Sequence, residues 1–365
     1  MTAAPPRSAP GAGTGFGSGG AGSDLAGGAG SDLAGGADSD LAGGAGSDLA
    51  GGAGQSREWP LPFALDIALA LSVHRRGPGD PAYARDAAGA IWRTSLTPDG
   101  PGTLRVTSGR LPATGAPPAA GPVWVTGRAW GAGAGWLLDN LPGWLGFHDD
   151  RAGFAPRHPV VSDLALRYDS FRVGRSGRVF EALVPAVLEQ KVVTLEAHRA
   201  WRFLLVKYGE PAPGPAPAGM RVPPAPRTWA CIPAWDWHRA GVEGVRARTI
   251  ITAAAVASRL EEAAELDPVE ADRRLRALPG IGVWTSAEIR QRAMGDPDAV
   301  SVGDYHLPNA VGWTLARRKT DDAGMLELLA PYAGHRYRVT RLIELGGSAP
   351  PRRGPRMSVR DYRSF

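Results

Sequence analysis

The spacing of apolar residues changes near residue 162, and this change limits the chain to folds in which a β-rich part precedes a helical part. Before that point, residues 90–96, 103–107 and 123–129 are short apolar segments separated by glycine and proline. Such segments with no intervening helical spacing predict an antiparallel sheet. Residues 65–74 carry large apolar side chains at every second position, which predicts a further strand.

After residue 162 the apolar residues recur at helical spacing. Residues 179–208 predict one long helix or two consecutive helices, with Pro185 in a first turn or at a bend. Residues 242–260 predict another helix. Together with the first part, this pattern predicts the α+β class, with an all-α portion following the sheet.

A well-marked helix start lies at Asp267. Asp at the N-cap, Pro268 at the first helical position and Glu270 at the third predict a helix that runs to about Ala277. A second helix is predicted from about residue 283 to 294, and a third after Asp304. The first two predicted helices are therefore joined by a very short link.

That link is the segment Leu-Pro-Gly-Ile-Gly at residues 278–282. Two glycines around one apolar residue allow a sharp turn and a close approach of the backbone to another molecule. The turn presents backbone N–H groups at a helix N-terminus, which favours an anion such as a DNA phosphate. Because phosphate contacts do not read bases, the segment predicts binding that is independent of DNA sequence.

A candidate catalytic carboxylate follows the hairpin. Asp304 lies within Ser-Val-Gly-Asp-Tyr-His-Leu-Pro-Asn at residues 301–309, at or just before a helix start. Taken alone, Asp304 is most simply a helix N-cap. An ionised carboxylate at a helix N-terminus can also stabilise positive charge in a reaction. His306 is either a contact to phosphate or water or a structural residue.

Composition separates the ends of the chain from its folded part. The net charge is +5, yet residues 1–54 hold one arginine against five aspartates, so the remainder is more basic than the whole and suits a polyanionic partner. A repeat with serine at positions 23, 31, 39 and 47 cannot bury enough apolar surface to order itself. We predict a disordered tail (1–56), a β-rich N-terminal domain (57–150), a helical domain (151–349) and a basic C-terminal tail (350–365).

The single cysteine, Cys231, excludes internal disulfides, thiolate zinc sites and four-cysteine iron–sulfur clusters. It lies in an apolar, Trp-rich stretch and is predicted to be buried. The sequence has no apolar run long enough for a transmembrane helix and no secretory pattern at its start. We therefore expect a cytoplasmic, nucleoid-associated protein.

The hairpin followed by an aspartate about 22 residues later resembles the helix-hairpin-helix DNA glycosylase superfamily, and residues 278–285 resemble its 3-methyladenine DNA glycosylase II branch. The resemblance covers roughly residues 59–347. It implies that Asp304 is the catalytic carboxylate and that the hairpin binds DNA phosphate. It further implies that residues 188–193 lie near the gap left by a flipped base. The implied site residues are Gly280, Ile281, Gly282 and Thr285 in the hairpin, Trp284 and Tyr305 in the base pocket, and Gln190 and Lys191 near the gap.

Trp284 stands where the strand-nicking members of that family carry a Schiff-base lysine. Because tryptophan cannot form an imine, the resemblance implies a monofunctional enzyme. Weaker pocket candidates are Trp235, Trp237 and Trp313, and Arg246 and Arg248 could contact phosphate or form a solvated face.

The sequence also departs from the family pattern at three positions. Glu288 replaces an aromatic pocket residue, Gly303 replaces a second acid, and Lys191 replaces an apolar wedge. These departures leave the accepted base open.

Three functions are compatible with the sequence. The first is a monofunctional glycosylase for alkylated purines of the 3-methyladenine type. The second is a glycosylase for oxidised or deaminated bases, and the third is a catalytically silent DNA-binding protein. We expect a monomer that acts on double-stranded DNA with damaged bases and not on a membrane. We expect no required cofactor and no metal held by side chains, and a monovalent cation at the hairpin backbone is compatible with the family pattern.

Overall fold

A computed structural model describes residues 54–110 and 123–348 of the chain. The repeat-containing segment up to residue 53 and the basic segment after residue 348 lie outside the described residues, so the predictions for these ends remain predictions. The first strand includes Gln55 and Ser56, which were assigned to the tail, so regular structure begins slightly earlier than expected. All the described residues belong to one compact unit.

An antiparallel sheet of five strands forms the first part of the fold, with strand order β1-β5-β4-β3-β2. The three predicted strands at 90–96, 103–107 and 123–129 are confirmed as the central strands. Leu104, Val106 and Val125 face a core shared with Leu137 and Leu141 of a helix that packs on the sheet. The strands are β1 (Gln55–Pro60), β2 (Tyr83–Arg85), β3 (Ile91–Thr97), β4 (Gly100–Arg110) and β5 (Val123–Trp130), and the packed helix is α2 (Ala134–Trp144), after α1 (Ile67–Ser72).

The strand predicted at residues 65–74 is wrong, because α1 occupies this segment. The Asp66 carboxylate caps the helix by accepting hydrogen bonds from the N–H groups of Ala68 and Leu69 at 2.9 and 3.0 Å. The same sequence that alternates large and small residues also places Ile67, Ala70 and Leu71 on one buried face. The N-cap at Asp66 and the buried helical face therefore favour a helix over the strand that the alternating pattern predicts.

The second part of the fold is helical, as predicted. Residues 179–208 form two helices, with Pro185 inside the first of them rather than in its first turn. Two short strands, β6 (Glu210–Pro211) and β7 (Arg221–Val222), form a small ribbon. The helices are α3 (Pro159–Arg167), α4 (Val179–Leu188), α5 (Thr194–Tyr208), α6 (Pro226–Ala230), α7 (Ala234–Arg239), α8 (Gly244–Ala255), α9 (Ala257–Glu261), α10 (Pro268–Arg276), α11 (Val283–Ile289), α12 (Leu307–Ala316), α13 (Asp322–Leu329) and α14 (Arg336–Gly346).

Helix α4 is the centre of the larger helical core. All of its residues except Glu181 are buried, and it packs against α5, α8, α9 and α11. A second helical cluster joins α3 to α12, α13 and α14. Glu181 of α4 faces the sheet, where its carboxylate pairs with Arg93 and accepts a hydrogen bond from Ser95 Oγ at 2.5 Å. The sheet is thus fixed to the same helix that supports α11.

Two side chains lie differently from their predicted positions. Cys231 is exposed at the end of α6 because its apolar neighbours, not the thiol, fill the core. Arg246 is buried, and one of its guanidinium nitrogens donates to the Leu188 carbonyl at 2.7 Å, so it stabilises the end of α4 instead of a solvated face. In the described part of the chain, every helix is too short or too polar to cross a membrane.

Candidate active site

The two helices of the predicted hairpin are α10 and α11, and the residues between them form the tight link. Asp267 caps α10 as predicted, accepting hydrogen bonds from the N–H groups of Val269 and Glu270. Asp272 on α10 fixes the second helix, because it accepts a hydrogen bond from Ser286 Oγ at 2.7 Å and lies 3.6 Å from Arg290. Asp272 therefore links the two helices of the hairpin through a hydrogen bond and an ion pair.

The two hairpin glycines have different structural roles. Gly280 has φ +90°, and a Cβ placed there would lie 2.1 Å from Thr249 Oγ1, so only glycine fits. Gly282 has φ −94°, and a Cβ on it would meet nothing within 4 Å. The backbone at Gly282 is therefore open to an approaching molecule at the start of α11.

The side chains of Ile281 and Thr285 point into the protein. Both residues are buried. The Gln190 side-chain amide donates hydrogen bonds to the Gly280 carbonyl and to Thr285 Oγ1, both at 2.9 Å. In this conformation the Thr285 hydroxyl binds within the protein, and the outward face of the hairpin is backbone around Gly282. Lys191, the next residue, is exposed and has φ +56°.

Asp304 serves as a helix cap and also faces Trp284. Its Oδ1 accepts hydrogen bonds from the N–H groups of His306 and Leu307 at 2.7 and 2.9 Å, just before α12. Its Oδ2 accepts a hydrogen bond from Trp284 Nε1 at 3.2 Å. The helix-cap interpretation and the active-site interpretation are therefore compatible, because each uses a different oxygen.

The structure brings Trp284 into contact with Asp304. Tyr305 is 83% exposed, and its ring packs edge-to-face with that of His306, with centroids 4.8 Å apart. Trp237 is buried against Trp229, whereas Trp235 is exposed. Among these candidates, Trp284 is the one that donates a hydrogen bond to the Asp304 carboxylate.

Glu288 lies one helical turn beyond Trp284 and is buried. Its two carboxylate oxygens accept hydrogen bonds from Ser301 Oγ at 2.5 Å and from Arg292 at 2.6 Å. Burial by itself would lower the pKa of Arg292, but the Glu288 and Glu189 carboxylates outweigh it and raise that pKa. The position that carries an aromatic residue in the family pattern is therefore part of a charged network.

Gly303 has φ +91°, and its N–H donates to the Asp322 carboxylate at 3.1 Å. The family pattern has an acidic residue at position 303, where this chain has glycine. Asp322 of α13 instead places a carboxylate beside that position. Sequence reasoning missed Asp322, Arg292 and Ser301. Only Arg292 had a local signal, its spacing of four residues from Glu288.

Within residues 54–110 and 123–348, no group of three or more histidine, cysteine, aspartate or glutamate side chains is arranged to hold a metal ion. Glu288, one helical turn after Trp284, binds Arg292 and Ser301 through hydrogen bonds.

Comparison with known proteins relates the chain to DNA repair enzymes. No protein-family model matches the sequence. A stretch of 140 residues is 35% identical to the probable bifunctional transcriptional activator/DNA repair enzyme AlkA of two Mycobacterium tuberculosis strains. The match covers 37% of this chain and only 27% of that relative.

Solved structures resemble most of the described fold. A 3-methyladenine DNA glycosylase from Archaeoglobus fulgidus has a TM-score of 0.62 at 17% identity, over 79% of this chain and 97% of that one. An 8-oxoguanine glycosylase/lyase from Clostridium acetobutylicum has a TM-score of 0.58 at 10% identity, over 78% and 93% of the two chains. The chain has the fold of the helix-hairpin-helix DNA glycosylases. At these identities the likeness concerns the fold, and it does not distinguish the two activities.

Proposed function

We propose that this protein is a monofunctional DNA N-glycosylase that releases alkylated purines of the 3-methyladenine type. The observation that supports this most strongly is the contact between Asp304 and Trp284, a carboxylate and an electron-rich ring 3.2 Å apart, beside a hairpin with open backbone at Gly282. The partial sequence match to a DNA repair enzyme and the fold of DNA glycosylases add independent support.

The proposed reaction starts with rotation of the damaged nucleotide out of the duplex. The bond between C1′ and the base nitrogen then breaks, and its electron pair leaves with the base. Positive charge develops on the sugar, where the ionised Asp304 stabilises it. Water adds to C1′, and Asp304 accepts its proton. A cationic alkylated purine needs no further proton to leave, and Trp284 offers it a ring face worth about 0.5–2 kcal/mol.

The chain offers no amine at the position where a covalent step would need one. Trp284 cannot form an imine with the sugar, so the strand stays intact after base release. The sequence contains three lysines. Of these, Lys207 pairs with Asp236, Lys191 lies in the loop after α4, and Lys319 lies in the loop after α12. The tryptophan at position 284 therefore supports release of the base alone.

The proposal extends to the way the protein holds DNA. The backbone at Gly282 binds a phosphate, and Gly280, Ile281 and Thr285 shape the turn. Lys191 and Gln190 lie near the gap left by the flipped base, Gln190 through its bonds to the hairpin. A monovalent cation at the hairpin carbonyls is compatible with this scheme, although the Gly280 carbonyl already accepts a hydrogen bond from Gln190. We propose that the protein acts as a monomer on damaged duplex DNA.

One observation favours a second candidate function. The buried Glu288 and Arg292 make the site more polar than a pocket that selects cations by stacking alone. A glycosylase for oxidised or deaminated bases would use such hydrogen-bonding groups. The third possibility, a silent DNA-binding protein, would leave the Asp304–Trp284 contact without a role.

The test is incubation with duplex oligonucleotides that each carry one defined lesion, with and without hot alkali. The proposal predicts release of alkylated purines and strand breaks that appear only after alkali. Breaks without alkali would contradict the role given to Trp284. Release of oxidised bases alone would favour the second candidate, and release of no base would favour the silent binder.

A further inference from the structure

Asp304 lies in a loop segment, residues 301–306, that directly precedes α12. Gly303, Tyr305 and His306 are exposed in this segment. Because the segment forms neither strand nor helix, its shape depends on contacts from neighbouring elements. Those contacts therefore also decide where the Asp304 carboxylate lies.

Buried hydrogen bonds hold the first end of the loop. Ser301 is buried, its hydroxyl donates to Glu288 at 2.5 Å, and the same oxygen accepts a hydrogen bond from the Gln291 amide at 2.9 Å. The Ser301 carbonyl accepts a hydrogen bond from the N–H of Asp304 at 3.2 Å. These bonds tie residue 301 to α11 on one side and to Asp304 on the other.

Gly303, in the turn just before Asp304, is not held by packing around its Cα. It has φ +91°, and a Cβ placed on it would meet nothing within 4 Å. The side chain that reaches it is Asp322, whose Oδ1 accepts a hydrogen bond from the Gly303 N–H at 3.1 Å. Since a glycine can vary its φ and ψ widely, this bond restrains a backbone position that is otherwise adaptable.

Asp322 is not used to cap its own helix. Asp321, the residue before it, is the N-cap of α13 and accepts a hydrogen bond from a backbone N–H of the first turn at 3.0 Å. In the part of the chain that the structure describes, the bond from Gly303 is the one side-chain hydrogen bond of Asp322. The helix is anchored in the core by Met325 and Leu329, both fully buried. Asp322 therefore joins the Gly303 turn to a fixed support.

We propose that Asp322 is a positioning residue that holds the Gly303 turn so that Asp304 directs its Oδ2 at the reacting sugar. This inference rests on the proposed function, because it assigns a role toward the catalytic carboxylate. Asp304 Oδ1 is engaged by the N–H groups at the start of α12, so the direction of Oδ2 follows the backbone of residues 303 and 304. A displaced carboxylate stabilises the charge that develops on the sugar less well, and catalysis is sensitive to displacements of about 1 Å.

The contact requires an acceptor oxygen at position 322 and not a charge, since its donor is a neutral backbone N–H. Asparagine offers such an oxygen, whereas alanine does not. A carboxylate also gains nothing from a DNA phosphate, so its removal should leave duplex binding intact. The role of Asp322 is thus confined to the chemical step.

The test measures base release under single-turnover conditions on duplex DNA alkylated with dimethyl sulfate. It compares the wild type with Asp322→Ala, Asp322→Asn and the matched control Asp321→Ala. We expect the rate to fall about tenfold in Asp322→Ala and to stay within about twofold of the wild type in Asp322→Asn, with unchanged duplex dissociation constants in both. Asp321→Ala should lose thermal stability with its N-cap and keep the wild-type rate.

The outcomes separate this inference from the proposed function. A wild-type rate in Asp322→Ala would overturn the inference and leave the glycosylase intact. The same holds if Asp322→Asn is as slow as the alanine variant, if Asp321→Ala is slowed equally, or if the loss disappears when the enzyme saturates the DNA. A wild type that releases no base would overturn both. Thermal unfolding, expected to show Asp322→Ala at least as stable as Asp321→Ala, shows that a lower rate does not come from a damaged fold.

Discussion

At the scale of single residues, the site depends on side chains that join segments far apart in the chain. Gln190 is the clearest case, because its amide bonds the end of α4 to both sides of the hairpin turn across 90 and 95 residues of sequence. The two bonds consume both N–H groups of the amide. Gln190 therefore holds the hairpin backbone through a half-buried side chain.

Replacing Gln190 should destabilise the hairpin in a graded way. Gln190→Ala removes two hydrogen bonds and should cost about 1–3 kcal/mol of unfolding free energy and weaken duplex binding. Gln190→Glu should cost more, because a carboxylate cannot donate and would face the Gly280 carbonyl. Urea unfolding and DNA titration measure both effects. Equal stability of the wild type and both variants would contradict this role.

At the scale of structural elements, the hairpin link contains two glycines with different surroundings. Gly280 is tightly packed, and the backbone at Gly282 is open. Gly280 is required by its positive φ and by the contact with Thr249 on α8. Gly282 has neither constraint, so the fold alone gives no reason for a glycine there. The open backbone at Gly282 is what the proposed phosphate contact requires.

The paired variants Gly280→Ala and Gly282→Ala separate folding from binding. Gly280→Ala should lower the unfolding free energy by more than about 1 kcal/mol, since a methyl would meet Thr249 in a backbone conformation that alanine avoids. Gly282→Ala should unfold like the wild type yet bind duplex DNA at least several-fold more weakly. Unchanged binding by Gly282→Ala would contradict the phosphate contact.

At the scale of the whole molecule, buried ion pairs connect the sheet side to the helical cores. Arg338 of α14 and Asp149, after α2, form a pair in which both side chains are almost fully buried, with nitrogen–oxygen distances of 2.6 and 2.8 Å. The exposed pair of Arg57 and Asp139 offers a matched contrast.

Arg338→Met should lower the unfolding free energy by about 3–5 kcal/mol, because it leaves Asp149 buried without its cation. Arg57→Met should change it by less than about 1 kcal/mol. Thermal and urea unfolding of the two variants measure the difference. Similar losses in both would show that burial does not decide the strength of these pairs.

Stability should also depend on pH through His74, which lies between the sheet and α2. Burial lowers the pKa of His74 well below its usual 6.5, and Arg93, Arg76 and Arg292 lower it further. Below about pH 6.5 the unfolded chain binds a proton at His74 that the folded chain does not bind. The folded state is therefore not destabilised by His74 above about pH 6.5, and it loses stability as the pH falls below that value.

We expect the wild type to lose stability between pH 7.5 and pH 5.5 with a slope that approaches about 1.4 kcal/mol per pH unit for this one group. His74→Asn should show a shallower slope in urea unfolding over the same interval. Parallel slopes for the two proteins would contradict the assignment to His74.

The sequence predicted those parts of the fold that depend on neighbouring residues. The cap at Asp267, the three central strands and the link at 278–282 all follow from local patterns. Helix α1 was mistaken for a strand because its alternating residues also suit a helical face, and Asp66 decides between the two. In the network around Glu288, only the spacing of four residues to Arg292 left a local signal, whereas contacts such as Arg292 to Val73 span 219 residues and leave none.

The most direct test of the account is base release by Asp304→Asn under single-turnover conditions on DNA that carries alkylated purines. Asparagine can still cap α12 through its side-chain oxygen, so the variant removes the charge and keeps the fold. The account predicts that release falls by at least about 10²–10³-fold while duplex binding stays near the wild-type value. Release at the wild-type rate would show that Asp304 is only a helix cap.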